Sequence, residues 1–212
     1  MKKEPLQLII ENGKNKEIIP AIVDALSKGA SPVCLIDKMV ESMIKVGEMF
    51  HSGKIQVSDM FSSAQTIKKG IAYLTPLIEG KDTTYIGEIV VGMAQGDLHD
   101  IGKGLLILML ESVGFKVHDL GIDVPPEIFV DAIKENENVQ VVAISASLDS
   151  TVSNVKATID LIEKEKLRDK VKIIVGGAAI SAEIAKELGA DAFGTTATLT
   201  AVIAKDLLSD LN

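Results

Sequence analysis

Tryptophan is absent from this 212-residue chain, aromatic residues of all kinds make up 3% of it, and cysteine occurs once. Each shortage closes off a class of chemistry. Without stacking faces a single-stranded nucleic acid has no platform for its bases, and a net charge of −8 leaves few free cations for its phosphates. The basic clusters, Lys68-Lys69 and the stretch from Lys164 to Lys172, are expected as solvated helix ends. Cys34 alone allows neither an internal disulfide nor a thiolate cluster for zinc or iron–sulfur binding, and is expected as a small buried hydrophobe on a helix. Long apolar runs are missing as well. LLILML at 105–110 is far shorter than the roughly 20 residues that cross a bilayer, and the first twenty residues lack a signal-length apolar core and a cleavage site, which predicts a cytoplasmic protein.

What is present divides into two patterns. Hydrophobic residues make up 47% of the chain, ample for a packed core. From Lys14 to Leu77 they recur at helical spacing (Ile18, Ile22, Val23, Leu26, then Leu35, Met39, Met43, Val46, Phe50), with breaks at 27–32, 51–54 and 79–84. This predicts a four-helix module. Beyond Lys81, Val/Ile-rich strands at 85–94, 115–121, 139–147, 170–177 and 190–194 alternate with helices at 101–113, 126–136, 151–166, 180–188 and 197–210. Near-continuous apolar strands separated by helices imply a parallel sheet covered on both faces. The expected fold is therefore α/β: a helical domain over 1–84, then a doubly wound, Rossmann-like or flavodoxin-like five-stranded parallel sheet over 85–212. Ligands of such sheets sit beyond the carboxyl ends of the strands. Those ends carry the small, polar, glycine-rich stretches GDLHDIG, SASLDST, GGAAIS and GTTAT.

Within the first of these, Asp97 precedes His99 by two residues. A carboxylate so placed accepts a hydrogen bond from one ring nitrogen, fixes the tautomer and leaves the other nitrogen free for a metal. Zinc needs three or four protein ligands. The other histidines, His51 and His118, fall on a helix end and a strand, and both are expected at the surface. A metal held by His99 alone must bring the rest of its coordination shell with it, in a haem or a corrin. A polar groove lined with glycines favours the corrin.

These residues carry a resemblance. GDLHDIGKG resembles the Asp-x-His-x-x-Gly motif of cobalamin-binding proteins, here Asp97, His99 and Gly102. SAS at 145–147 and VGG at 175–177 stand where that family has its Ser-x-Leu and Gly-Gly motifs. Residues 46–79 are similar to the helical cap of the cobalamin module of methionine synthase and of corrinoid proteins of methyltransferase systems, and 119–133 to the segment after the family's second strand. The resemblance implies cobalamin with its benzimidazole tail off the cobalt and His99 as the lower axial ligand, coupled to Asp97 and, through a hydroxyl relay, to Thr151. It further implies contacts to the cofactor from Gly96, Leu98, Asp100 and Ile101 around that motif. Ser145 would line the tail pocket, Ser147, Leu148 and Asp149 would contact the cofactor, with Asp149 near the corrin's amide side chains, Gly102, Gly176 and Gly177 would let the backbone approach where a Cβ would collide, and Gly194, Thr195 and Ala197 would lie in the last loop near the same ligand. Phe50 and Val57 correspond to an apolar lid over the upper face. The chain departs from the family pattern at Ser147, Asp149 and Gly104, which replace leucine, threonine and asparagine.

The function so implied is a corrinoid methyl carrier. It would move a methyl group on cobalt from a donor-specific methyltransferase to an acceptor methyltransferase, with a reductive activator as a further partner and neither nucleic acid nor membrane involved. With no barrel domain expected in 212 residues, catalysis of each transfer would lie mainly with the partners. The rival readings are a cobalamin-dependent sensor, for which no helix-turn-helix is expected ahead of residue 14, and a flavin or phosphate binder, which leaves the helical domain and the Asp97–His99 pair without a purpose.

Overall fold

Apolar side chains spaced three and four residues apart draw the first part of the chain into four α-helices: α1 (Pro5–Glu11), α2 (Ile18–Ser27), α3 (Pro32–His51) and α4 (Val57–Leu74). The computed structural model describes residues 5–77 and 85–209, without the side chains of Thr75, Ile101 and Ser209. The expected break at 79–84, residue 210 and the contact expected of the Ile101 side chain lie outside what is described. α1 begins well before Lys14, where the helical pattern was expected to start, because Leu6, Ile9 and Ile10 already form a buried stripe. α3 starts at a serine cap and a proline: Ser31 Oγ accepts from the Cys34 N–H at 3.1 Å and Pro32 takes the first helical position.

Two expectations are corrected in these helices. Cys34 is exposed, because the buried stripe of α3 runs through Leu35, Met39, Met43 and Val46 and a residue one step before Leu35 falls off it. Lys68 and Lys69 lie inside α4 rather than at its end. Lys68 pairs with Glu111 at 2.8 Å, and Lys69 donates to the Asn15 carbonyl at 3.3 Å.

The chain divides into two compact units, one taking in the described residues up to Ile86 with Leu108–Gly114, the other Gly87–Ile107 with the described residues from Phe115 onward. In the second unit the five strands are β1 (Gly87–Ala94), β2 (Phe115–Val124), β3 (Val139–Ser145), β4 (Lys172–Gly176) and β5 (Ala192–Gly194). They form one parallel sheet in the order β2-β1-β3-β4-β5. The helices between them are α5 (Asp100–Ser112), α6 (Pro126–Glu135), α7 (Val152–Lys164) and α8 (Ala182–Leu188), and α9 (Ala197–Ser209) follows β5. Val90, Val142, Ile144, Ile173 and Val175 from the strands pack with Phe129, Ile133, Val155 and Ile159 from α6 and α7 in one buried cluster. At Gly92 a Cβ would come within 2.6 Å of the Phe129 ring, so helix and strand meet closely there.

β2 runs past Gly121, its expected end, to Val124. It does so irregularly, with its pairing to β1 slipping between Asp119, Gly121 and Val124. His118 on this strand is not a surface residue. It is four-fifths buried, and its Nε2 lies 2.7 Å from Glu88 Oε2, which Lys116 also approaches at 3.2 Å. Strand order reverses between β1 and β3, so the loops after these two strands flank the position where a doubly wound sheet receives its ligand.

Candidate functional site

The loop after β1 begins as a tight turn in which the Asp97 N–H donates to the Ala94 carbonyl at 3.0 Å and Gly96 adopts φ +87°. Asp97, which closes this turn, has a fully buried carboxylate, and the chain goes on into α5. Both carboxylate oxygens are occupied. Oδ1 accepts from the His99 N–H at 3.1 Å and lies 2.8 Å from His99 Nδ1, and Oδ2 accepts from the Ser147 N–H in the loop after β3. Asp97 thus ties the two loops at the switch point together. Burial pushes its pKa up, but the N–H groups of Ser147 and His99 more than offset this and hold it below its ordinary value of 3.8.

In the neutral ring, an ionised Asp97 facing Nδ1 favours the tautomer with its proton there and the lone pair on Nε2. The His99 side chain is 60% exposed. A buried, charged anchor on one nitrogen and an open second nitrogen suit a single protein ligand to a metal. Among the described residues, no group of three or more His, Cys, Asp or Glu side chains is placed to hold a bare metal ion. The donor set therefore fits a metal that arrives already chelated on its other positions.

The remaining expected residues are distributed as follows. Leu98, Asp100, Gly102 and Gly104 are exposed around His99 at the start of α5, and Leu148 and Asp149 are exposed after β3. Ser145 ends β3, half-buried. Thr151 is buried, but its hydroxyl donates to the Leu148 carbonyl at 2.8 Å, so the hydrogen-bonded chain from His99 passes from Asp97 to the Ser147 backbone rather than to Thr151. The glycines at the end of β4 have a reason within the chain itself. Gly177 adopts φ +107° with the Ala146 backbone against the place of a Cβ, and a Cβ on Gly176 would lie 2.6 Å from the Gly194 carbonyl oxygen. Gly194 is closed off by Thr200 in the same way. The chain's own packing requires these three, whereas a Cβ at Gly102 would meet no described atom within 4 Å. Thr195 is exposed and Ala197 opens α9. In the helical unit Phe50 is half-buried near the end of α3 and Val57, the first residue of α4, is 53% exposed.

Four polar residues that support this loop went unnoticed in the sequence. Asp123 Oδ1 accepts from the Gly96 N–H at 2.6 Å, and Asn154 Nδ2 donates to the Gln95 carbonyl at 2.7 Å. Lys103, 7% exposed on α5, donates to both oxygens of Asp119 at 2.6 and 2.8 Å. The one available signal was that aspartate tolerates positive φ, as Asp123 does at +52°.

A B12-binding domain model matches residues 87–204, and a second model, also described as a B12 binding domain, matches residues 3–75. The chain is 38% identical over 196 residues to the dimethylamine corrinoid protein of Methanosarcina barkeri, covering 92% of each. It is 38% identical over 177 residues to the trimethylamine corrinoid protein of the same organism, covering 82% of this chain and 81% of that one. Among solved structures, a cobalamin-binding protein from Desulfitobacterium hafniense DCB-2 aligns with a TM-score of 0.79 at 30% identity, over 95% of this chain and 96% of that one. The methanol:cobalamin methyltransferase complex MtaBC from M. barkeri aligns with a TM-score of 0.73 at 25% identity, over 97% of this chain and 78% of the matched chain.

Proposed function

Because the chain belongs to the B12-binding corrinoid proteins of methyltransferase systems, we propose that it carries cobalamin at the carboxyl edge of its sheet, with His99 Nε2 as the protein's ligand to cobalt. The protein is a corrinoid methyl carrier. When bound, the cobalt supplies the site that accepts and releases the methyl group. The residues of the chain do the rest. Asp97 holds the His99 ring by Nδ1, aims Nε2 outward and balances positive charge that develops on the ring. Ser147, through its backbone N–H, keeps Asp97 ionised. The exposed Leu98 and Leu148 offer apolar contact beside His99, and Phe50 and Val57 serve as the lid that the family resemblance assigns to them.

The partners proposed are a donor methyltransferase, an acceptor methyltransferase and a reductive activator. Relatives carry names that span dimethylamine, trimethylamine, monomethylamine and methanol systems. No described helix is long and apolar enough to cross a membrane.

The observation that carries the axial-ligand reading is the buried Asp97 carboxylate 2.8 Å from Nδ1 of a half-exposed His99. It is tested by the absorption spectrum of the protein loaded with hydroxocobalamin. The wild type should show a corrinoid with its own base displaced and an imidazole bound. His99→Ala should retain cobalamin more weakly, with the spectrum of a cobalt lacking that nitrogen. Identical spectra for the two proteins would remove His99 from the cobalt.

A further inference from the structure

In the turn closed by Asp97 N–H and the Ala94 carbonyl, a positive φ at the third residue, Gly96, and none at Gln95 is the arrangement of a type II turn. The central peptide of such a turn, here Gln95–Gly96, stands across the plane of the turn, its carbonyl on one side and its N–H on the other. Neither group bonds within the turn. A flip of this peptide converts the turn to type I and reverses both groups, so partners that hold them on both sides pin the turn, and with it Asp97 at its end, in one place.

Both ends of that peptide are taken by side chains from separate elements. Asp123, near the end of β2, accepts the Gly96 N–H at 2.6 Å, and its own N–H donates to the Asp97 carbonyl at 3.0 Å. Asn154, on α7 after β3, donates to the Gln95 carbonyl at 2.7 Å. Since β2 and β3 lie on opposite sides of β1, the two anchors reach the turn from opposite flanks. Asp123 holds φ +52°, a conformation that residues other than glycine, asparagine and aspartate seldom adopt, and it is exposed, so burial of its side chain does not explain its presence.

We propose that Asp123 and Asn154 are positioning residues for His99: by gripping the Gln95–Gly96 peptide from both sides, with the Asp123 N–H also bound to the Asp97 carbonyl, they hold the turn in place and, with it, Asp97 and the His99 ring. This rests on the reading of His99 as the ligand to cobalt. Neither residue needs to touch the cofactor; both act through the turn.

Three variants separate the parts. Asp123→Asn keeps an oxygen acceptor on a residue that tolerates positive φ. Asp123→Gly removes the acceptor and keeps a residue suited to positive φ. Asn154→Leu removes the donor to Gln95. In the cofactor-free protein, hydrogen exchange of the Gly96 amide should be about ten- to a hundredfold faster in Asp123→Gly than in wild type, the span expected for losing a hydrogen bond to a charged group, and near wild type in Asp123→Asn. In 15N-labelled protein loaded with unlabelled hydroxocobalamin and reduced to cobalt(II), electron paramagnetic resonance distinguishes the 15N doublet of a protein histidine from the 14N triplet of the cofactor's own base. Wild type and Asp123→Asn should show the doublet, and Asp123→Gly and Asn154→Leu a mixture in which it is reduced. A full doublet in Asp123→Gly overturns the proposal, whether or not Gly96 exchanges faster, because the lock then serves only the fold. A reduced doublet with unchanged Gly96 exchange overturns it too, because the loss does not run through the turn. Absence of the doublet in the wild type is a separate result that removes the axial-ligand reading itself.

Discussion

Asp97 is acceptor-only, and all three groups that approach its oxygens present N–H. Asparagine has nearly the same shape but one oxygen. Whichever way its amide turns, a donor faces either the Ser147 N–H or His99. Asp97→Asn is therefore expected to destabilise the protein by about 1–3 kcal/mol, the cost of a buried donor without an acceptor, read by urea denaturation. Methyl transfer and cobalt reduction should fall more than cobalamin affinity, because the ring loses its charged partner while the cofactor keeps its other contacts. Glu88 poses a separate question of charge. Burial raises its pKa, but hydrogen bonds from His118 and Lys116 bring it below the ordinary 4.5. A carboxylate depressed on folding stabilises the native state above its unfolded pKa, and that contribution is lost as pH falls through the lower folded value. The stability gap between wild type and Glu88→Gln should be largest near neutrality and shrink once pH drops below about 4.5. A gap that stays constant from pH 7 to pH 3 would show that the pairing contributes nothing.

Connections decide more here than strands and helices do. Apolar runs marked all five strands within a few residues of their ends, most plainly the inner strands β1, β3 and β4, which are covered on both faces and so apolar along their length. What ends each strand was harder to read. VGG after β4 reads equally well as a ligand cradle and as a tight turn, and the backbone shows that Gly177 and Gly176 are needed by the loop itself. Two alanine substitutions turn this into a measurement. Gly177→Ala forces a Cβ against the Ala146 backbone at φ +107° and should cost upward of about 2 kcal/mol in thermal or chemical unfolding. Gly102→Ala, in the first turn of α5 with open space around it, should leave stability unchanged or raise it by up to about 1 kcal/mol. Any fall in cobalamin affinity in Gly102→Ala then measures close approach of the cofactor to this helix. Equal destabilisation by the two substitutions would contradict the assignment.

Across the whole molecule, a shuttle must hold its cofactor through successive encounters. The lid role proposed for Phe50 is a claim about the loaded carrier. Phe50→Ala, loaded with methylcobalamin, should lose the methyl group to photolysis and oxidation several-fold faster than wild type. Truncating a half-buried phenylalanine also removes packing, up to about 3–5 kcal/mol if the site were fully buried, so unfolding must be followed in the same samples. Equal decay rates in folded protein would leave Phe50 as packing for α3 alone.

The sequence by itself determined the period of every long element, the α/β class, and the pairing of Asp97 with His99, because each of these is local: side-chain spacing sets helix and strand, and two residues' separation sets the reach of a carboxylate to a ring. Only the tertiary structure decided the partners that come from afar. The Ser147 N–H reaches Asp97 across 50 positions, and Asp123 and Asn154 reach the turn across 27 and 59. A parallel sheet brings the ends of β1, β2 and β3 side by side through crossovers whose lengths carry no record of which side chains will meet. The same limit explains Cys34 and His118. Whether a residue one step off an apolar stripe is covered, or a polar residue on a strand finds a partner, depends on what packs beside it and not on its neighbours in the chain.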